Sequence, residues 1–142
     1  MDHVVYVDAR EKELEKILSK EKTMIIRGAA GRKMPYGRVY VNDVLYFINN
    51  NAEGVIKAKG VVSSVFNSEK MTKEESTALV NNHQNQLQLT EKQFTRWAGK
   101  RYLVLIGIYN IEAISSFAFD KSQFENMDDW LPVEHIDSVK IK

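Results

Sequence analysis

Hydrophobic residues in this chain recur with two periods, and their switches mark out the elements. His3 to Val7 reads as a short strand. Asp8 followed by Glu11 has capping-box spacing, and Leu14, Ile17 and Leu18 then recur at helical intervals, predicting an amphipathic helix to about Lys20. Thr23 to Arg27 is a compact β-branched run and is expected to be a strand. Residues 28–37 hold Gly28, Gly31, Gly37 and Pro35, which exclude both a helix and a central strand, so a long ordered loop is expected. Val39–Val41 and Val44–Ile48 predict strands broken at Asn42-Asp43, and residues 49–54 predict a hairpin connection. Val55 to Phe66 predicts a long strand bent or bulged at Gly60.

Farther on, Thr72 with Glu75 and Thr90 with Gln93 open two helices, the second ending before Gly99, with Asn81 to Gln88 as a surface loop between them. Arg101 to Ile111 is the strongest strand pattern and is expected to be central. Phe117 to Phe119 is expected at an edge, and Trp130-Leu131-Pro132 begins a closing segment. The order β-α-β-β-β-αα-β-β does not alternate as βαβ units do, which argues against a doubly wound parallel sheet. It predicts an α+β fold, a small mixed barrel flanked by helices.

Length and composition narrow the class further. The chain has 142 residues, 44% hydrophobic and 27% charged, the usage of an ordinary globular protein, and one domain over residues 1–142 is expected. Cysteine is absent, which removes disulfides, thiol nucleophiles and thiolate metal sites. No stretch approaches the roughly 18 apolar residues of a membrane span, so a soluble cytoplasmic protein is expected. Net charge is +1, but its distribution is uneven. Lys16, Lys20, Lys22, Arg27, Arg32, Lys33 and Arg38 face only Glu21 between positions 16 and 38. Asp120, Glu125, Asp128, Asp129, Glu134 and Asp137 face only Lys121 between 120 and 137. The expectation is that any polyanion lies away from the acidic segment, with the Glu125–Asp129 stretch as a solvated turn.

Several runs resemble the PUA-like superfamily, especially its ASCH and EVE-type members. They are Lys22-Thr23-Met24-Ile25-Ile26-Arg27, the glycine-rich basic loop after it, Val41 to Phe47, Gly54 to Val62, and Leu89 to Ile106. The likeness covers about residues 3 to 112. Where these families start a strand on Gly-Asp, this chain has Asn42-Asp43. The resemblance implies a PUA-like β-barrel, with the basic loop bordering a nucleic-acid or ligand cleft.

The leading candidate site is therefore that loop. Arg27, Arg32, Lys33 and Arg38 can make charge-assisted contacts to phosphate, and Tyr36 offers a ring on which an unpaired base could stack. The expected partner is RNA, single-stranded or structured, or a modified nucleotide. The simpler alternative is a solvated basic loop with Tyr36 packed on the barrel. A second reading comes from ASCH-type proteins that resemble amidohydrolases acting on acylated cytidine through a Lys-Thr-x-Thr-x-Arg stretch. This chain keeps Lys22, Thr23 and Arg27, but Ile25 stands at the second threonine, and an aliphatic side chain transfers no proton. The plain expectation for Lys22 is a strand-edge lysine in water. A third reading is a small-molecule or protein-interaction barrel.

Other candidates carry less. His3, His83 and His135 have no metal-ligand spacing and are expected at the surface, so no metal is expected, and no cofactor. Ser63-Ser64 and Ser115-Ser116 lack a nucleophile-elbow context. Trp97, three residues after Phe94, is expected on a core face, and Trp130 at one barrel end.

Overall fold

The computed structural model describes residues 1–124 and 128–141. Its strands are β1 (Asp2–Val7), β2 (Met24–Ala29), β3 (Val44–Asn49), β4 (Val55–Asn67), β5 (Tyr102–Ala118) and β6 (Trp130–Glu134). Its α-helices are α1 (Glu13–Leu18), α2 (Lys73–Asn82), α3 (Gln84–Leu87) and α4 (Glu91–Trp97). The strands form one mixed sheet in the order β2-β5-β4-β3-β1-β6, parallel between β1 and β3 and antiparallel elsewhere. The sheet is a half-barrel, and the architecture is α+β.

Curvature comes from the long β4–β5 pair. Its register shifts at Ile56/Ala58, Lys59/Val61 and Val62/Ser64, and each bulge adds local twist. Gly60 lies at the second shift. A Cβ there would come within 2.3 Å of Ile111 Cδ1, so any side chain at this position would have to displace that methyl group.

Three apolar clusters hold the layers together. One joins α1 to the sheet through Leu14, Ile17, Val5, Leu45 and Ile106. A second lies under β6 with Val4, Ile56, Leu131 and Val139. The third packs α2, α3 and α4 on β2 and β5 through Val80, Leu87, Trp97, Ile26 and Leu103. Both expected capping boxes form. Thr72 Oγ1 accepts from Glu75 N–H and Thr90 Oγ1 from Gln93 N–H, while each partner side chain returns the bond.

Some expectations change. The α1 helix starts at Glu13, because Lys12 adopts a left-handed conformation (φ 55°). Asp8 Oδ1 does accept from Glu11 N–H, but Glu13, not Glu11, reaches back to Asp8 N–H at 2.8 Å. Residues 81–88 are not a surface loop. They finish α2 and form α3, whose Leu87 is buried in the third cluster. Phe117 is not on a separate edge strand but belongs to the far end of β5, paired to Ile56 of β4. That extension makes β5 one strand of 17 residues, hydrogen-bonded on both sides and one place in from the sheet edge. Asn42 takes φ 77°, a conformation glycine adopts without cost and asparagine tolerates.

His3 also departs from expectation. It is fully buried, not at the surface. Trp130 Nε1–H donates to its Nδ1 at 3.1 Å, which leaves the ring proton on Nε2 to be donated to Asp43 Oδ2 at 2.8 Å. The same carboxylate oxygen accepts Tyr40 N–H, so this buried network ties β1, β6 and the start of β3 together.

Candidate functional site

The sheet ends on β2 and β6, and among the described residues no ladder closes the barrel between them. Arg27 of β2 spans that gap with its side chain. Its Nη1 donates to Ile26 O at 2.8 Å and its Nη2 to Tyr6 O of β1 at 2.6 Å. The guanidinium carbon lies 5.8 Å from the Trp97 ring and 5.6 Å from the Trp130 ring, so aromatic faces and carbonyls fix its position. The side chain is almost fully buried.

A cavity of about 490 Å³ opens beside it, a size typical of small-molecule sites. Its wall comes from four regions. The β1 end and following turn supply Tyr6, Asp8 and Glu13. The hairpin after β3 supplies Asn49, Asn50, Ala52 and Gly54. Helix α4 contributes Gln93, Arg96 and Trp97, and the approach to β6 contributes Lys121, Asp128 and Asp129. Helix α4 is aimed by its start. Thr90 Oγ1 donates to Glu11 Oε1 at 3.1 Å, which anchors the helix against the turn before α1.

Among the described residues, Arg27 Nε and Asn49 Oδ1 are the buried side-chain atoms without a hydrogen-bond partner. Both residues line this cavity. Asp129 Oδ2 lies 3.3 Å from Arg27 Nε, but the alignment makes an ion pair rather than a hydrogen bond. The same oxygen is 3.8 Å from Arg96 Nη2, and Lys33 Nζ is 3.8 Å from Asp128 Oδ1. The basic and acidic segments thus meet here. Their separation along the chain does not carry over into space, because the turn before β6 folds against the end of β2. Within the Glu125–Asp129 stretch, residues 125–127 lie outside the described residues. Asp128 and Asp129 are half-buried partners of cations, not a solvated turn.

The residues singled out from sequence are divided by the fold. Arg27 forms the cavity wall, and Lys33 reaches its rim through Asp128. Arg32 is exposed and lies over the rings of Tyr36 and Tyr102 at 5.5 and 5.6 Å. Arg38 is exposed and does not line the cavity. Tyr36 offers no open face for stacking. Its hydroxyl donates to Ser68 O, Tyr102 meets its ring edge-on, and Arg32 covers it.

Lys22 is not a solvated strand-edge lysine. It is 1% exposed, its Nζ donates to Leu87 O at 2.5 Å, and Glu13 Oε2 is 3.5 Å away. Burial lowers its pKa to about 8; Glu13 opposes that fall and the charge of Arg27 adds to it. The amine lies behind Glu13, which faces the cavity while Lys22 does not. Thr23 is exposed and joins the scaffold, donating its N–H to Gln86 O and accepting Ile108 N–H. Ile25 is wholly buried in the first core cluster. Sequence reasoning missed Asn49, Gln93, Arg96 and Lys121. Polar residues at a strand end, on a short helix and in a turn carry no periodic signal that they will converge.

The molecule is thus a helix-flanked mixed half-barrel with a cavity at its open seam, the architecture of PUA-like domains. It shares the fold of the ASCH domain. The chain superposes on the ASCH protein from Zymomonas mobilis with a TM-score of 0.67 at 14% identity, covering 99% of this chain and 96% of that one. Two mutant forms of that protein each give a TM-score of 0.70 at 12% identity over 96% of this chain, covering 93% and 91% of theirs. No protein-family model matches the sequence, and no curated protein matches it. Among the described residues no helix is long and apolar enough to cross a membrane, and no group of His, Asp and Glu could hold a metal ion.

Proposed function

We propose that the cavity receives a nucleobase, plain or modified, from an RNA strand or a nucleotide. One observation carries the reading. Asn49, a residue of the cavity wall, holds a buried side-chain acceptor, Oδ1, without a hydrogen-bond partner. Leaving it unmet costs about 1–3 kcal/mol, and an N–H on a ligand edge that reaches it would offset that cost. Nucleobases carry such edges. The half-barrel architecture is consistent with this use.

Strand contacts would come from cations outside the cavity core. Arg32, Lys33 and Arg38 on the loop after β2, with Arg96 and Lys121 of the cavity wall, would meet phosphates. Affinity should then fall steeply with salt. The test is titration of labelled single-stranded RNA at two salt concentrations. Asn49→Ala should weaken binding about tenfold without changing the salt slope, whereas Arg32→Ala with Lys33→Ala should flatten the slope. Absence of binding by the wild type at low salt would refute the proposal.

A hydrolytic reading draws on one feature, the buried amine of Lys22 behind the cavity carboxylate Glu13. Its difficulty is Ile25, which places a core side chain where a proton-transferring threonine would be needed. Incubation with N4-acetylcytidine followed by chromatography decides it, since release of cytidine by the wild type and not by Lys22→Met is required.

A further inference from the structure

The contact between Asp129 and Arg27 is poorly made for a pair in so rigid a setting. Arg27 cannot turn toward the carboxylate, because its two Nη groups are held by Ile26 O and Tyr6 O and its faces by Trp97 and Trp130. Its Nε–H is left without a hydrogen bond although Asp129 Oδ2 is 3.3 Å away. Asp129 is anchored through its main chain, whose carbonyl accepts Tyr6 N–H at 2.9 Å. Its side chain is 40% exposed and can rotate out without moving that anchor.

The surrounding charge shows what would fill the place better. Glu13 is offset by Lys22 at 3.5 Å and Asp128 by Lys33 at 3.8 Å. Asp8 accepts Glu11 N–H at 3.2 Å but keeps its charge, so Arg27, Arg96 and Lys121 stand against Asp8 and Asp129 at the cavity wall. Arg27 and Arg96 share the single oxygen of Asp129, and Lys121, lying over the Tyr6 ring, adds a further cation at the cavity wall. As placed, Asp129 Oδ2 accepts a hydrogen bond from neither guanidinium, lying misaligned at 3.3 Å from Arg27 Nε and at 3.8 Å from Arg96 Nη2, whereas the oxygens of a phosphate, spread tetrahedrally, can accept from each.

We infer that Asp129 holds the place of a phosphate, and that the cavity takes a phosphorylated nucleoside rather than a free base or nucleoside. On binding, the Asp129 side chain swings into solvent and the ligand phosphate accepts from Arg27 Nε–H and Arg96. No covalent step is involved. The choice of nucleoside rests on the proposed nucleobase site, but the phosphate position does not.

The test uses the full chain with Asp129→Asn, and Asp137→Asn, outside the cavity, as the control for general loss of negative charge. Calorimetric titration should give cytidine 5′-monophosphate an affinity about five- to tenfold tighter in D129N than in wild type, with cytidine within about twofold. D137N should change neither. Equal tightening by D137N, or weaker nucleotide binding in D129N, overturns the inference. Inorganic phosphate, followed through the Arg27 Nε–H NMR signal, separates the two readings. If neither cytidine nor its monophosphate binds, a phosphate-induced shift that saturates earlier in D129N upholds the phosphate position and discards the base. An unmoved signal in both proteins discards the phosphate position.

Discussion

Arg27 Nη2 donates to the carbonyl of Tyr6 at 2.6 Å, joining an edge strand to one that no ladder connects it to. A single side chain therefore bridges the open seam of the half-barrel and walls the cavity beside it. Arg27→Lys should fail at both tasks, because one ammonium cannot reproduce a fork fixed on Ile26 O and Tyr6 O. Charge-assisted hydrogen bonds of this kind contribute about 1.5–3 kcal/mol each. The expected outcome is a loss of about 2–4 kcal/mol in urea denaturation, with RNA binding lost even where the variant is fully folded.

Burial lowers the pKa of His3, and its hydrogen bond and charge interaction with Asp43 oppose that fall without cancelling it. A histidine with a lowered folded pKa binds fewer protons when folded than when unfolded, so stability rises with pH across that window. The contribution is complete above the unfolded value near 6.5 and is lost as pH falls from there through the folded value. Protonation at Nδ1 would also expel the Trp130 N–H. Urea midpoints measured from pH 7.5 down to 5 should decline below about 6.5. Trp130→Phe, which frees Nδ1 to take a proton, should raise the His3 titration point by NMR. A pH-independent midpoint would contradict the buried network.

Lys22 runs the same linkage at the other end of the scale. Its amine titrates at about 8 in the fold against 10.5 in the open chain, so the unfolded state again holds the extra proton between those values. Stability relative to Lys22→Met should rise from pH 8 to pH 10.5, by on the order of 3 kcal/mol at most. Paired denaturation curves at pH 7.5, 9 and 10 check it. A constant difference across that range would mean that the amine keeps its solution pKa.

The elements were largely legible because their signals are local. Threonine followed three residues later by a glutamate or glutamine marked both helix starts that formed capping boxes, and Gly60 marked a real bulge. Misreadings arose where a distant partner overruled the local pattern. The polar run 81–88 looks like a loop until Leu87 is seen packed against β2 and β5, and His3 looks like a surface residue until Trp130 supplies its hydrogen bond. The basic loop was equally readable as a cluster of charge. That Arg27 turns inward while Arg32 covers two tyrosines depends on which face of each strand meets the barrel seam.

Periodicity, caps and turn residues settle helices and strands because they act within a few positions, and they carried the half-barrel class with them. The cavity belongs to another order of information. Asn49 and Arg27 come to one cavity, and Asp129 meets both Arg27 and Arg96, only after β1, β3 and β6 pair in one register and the seam stays open. Contacts between residues so far apart in the chain depend on how the whole sheet closes, and no local pattern encodes that.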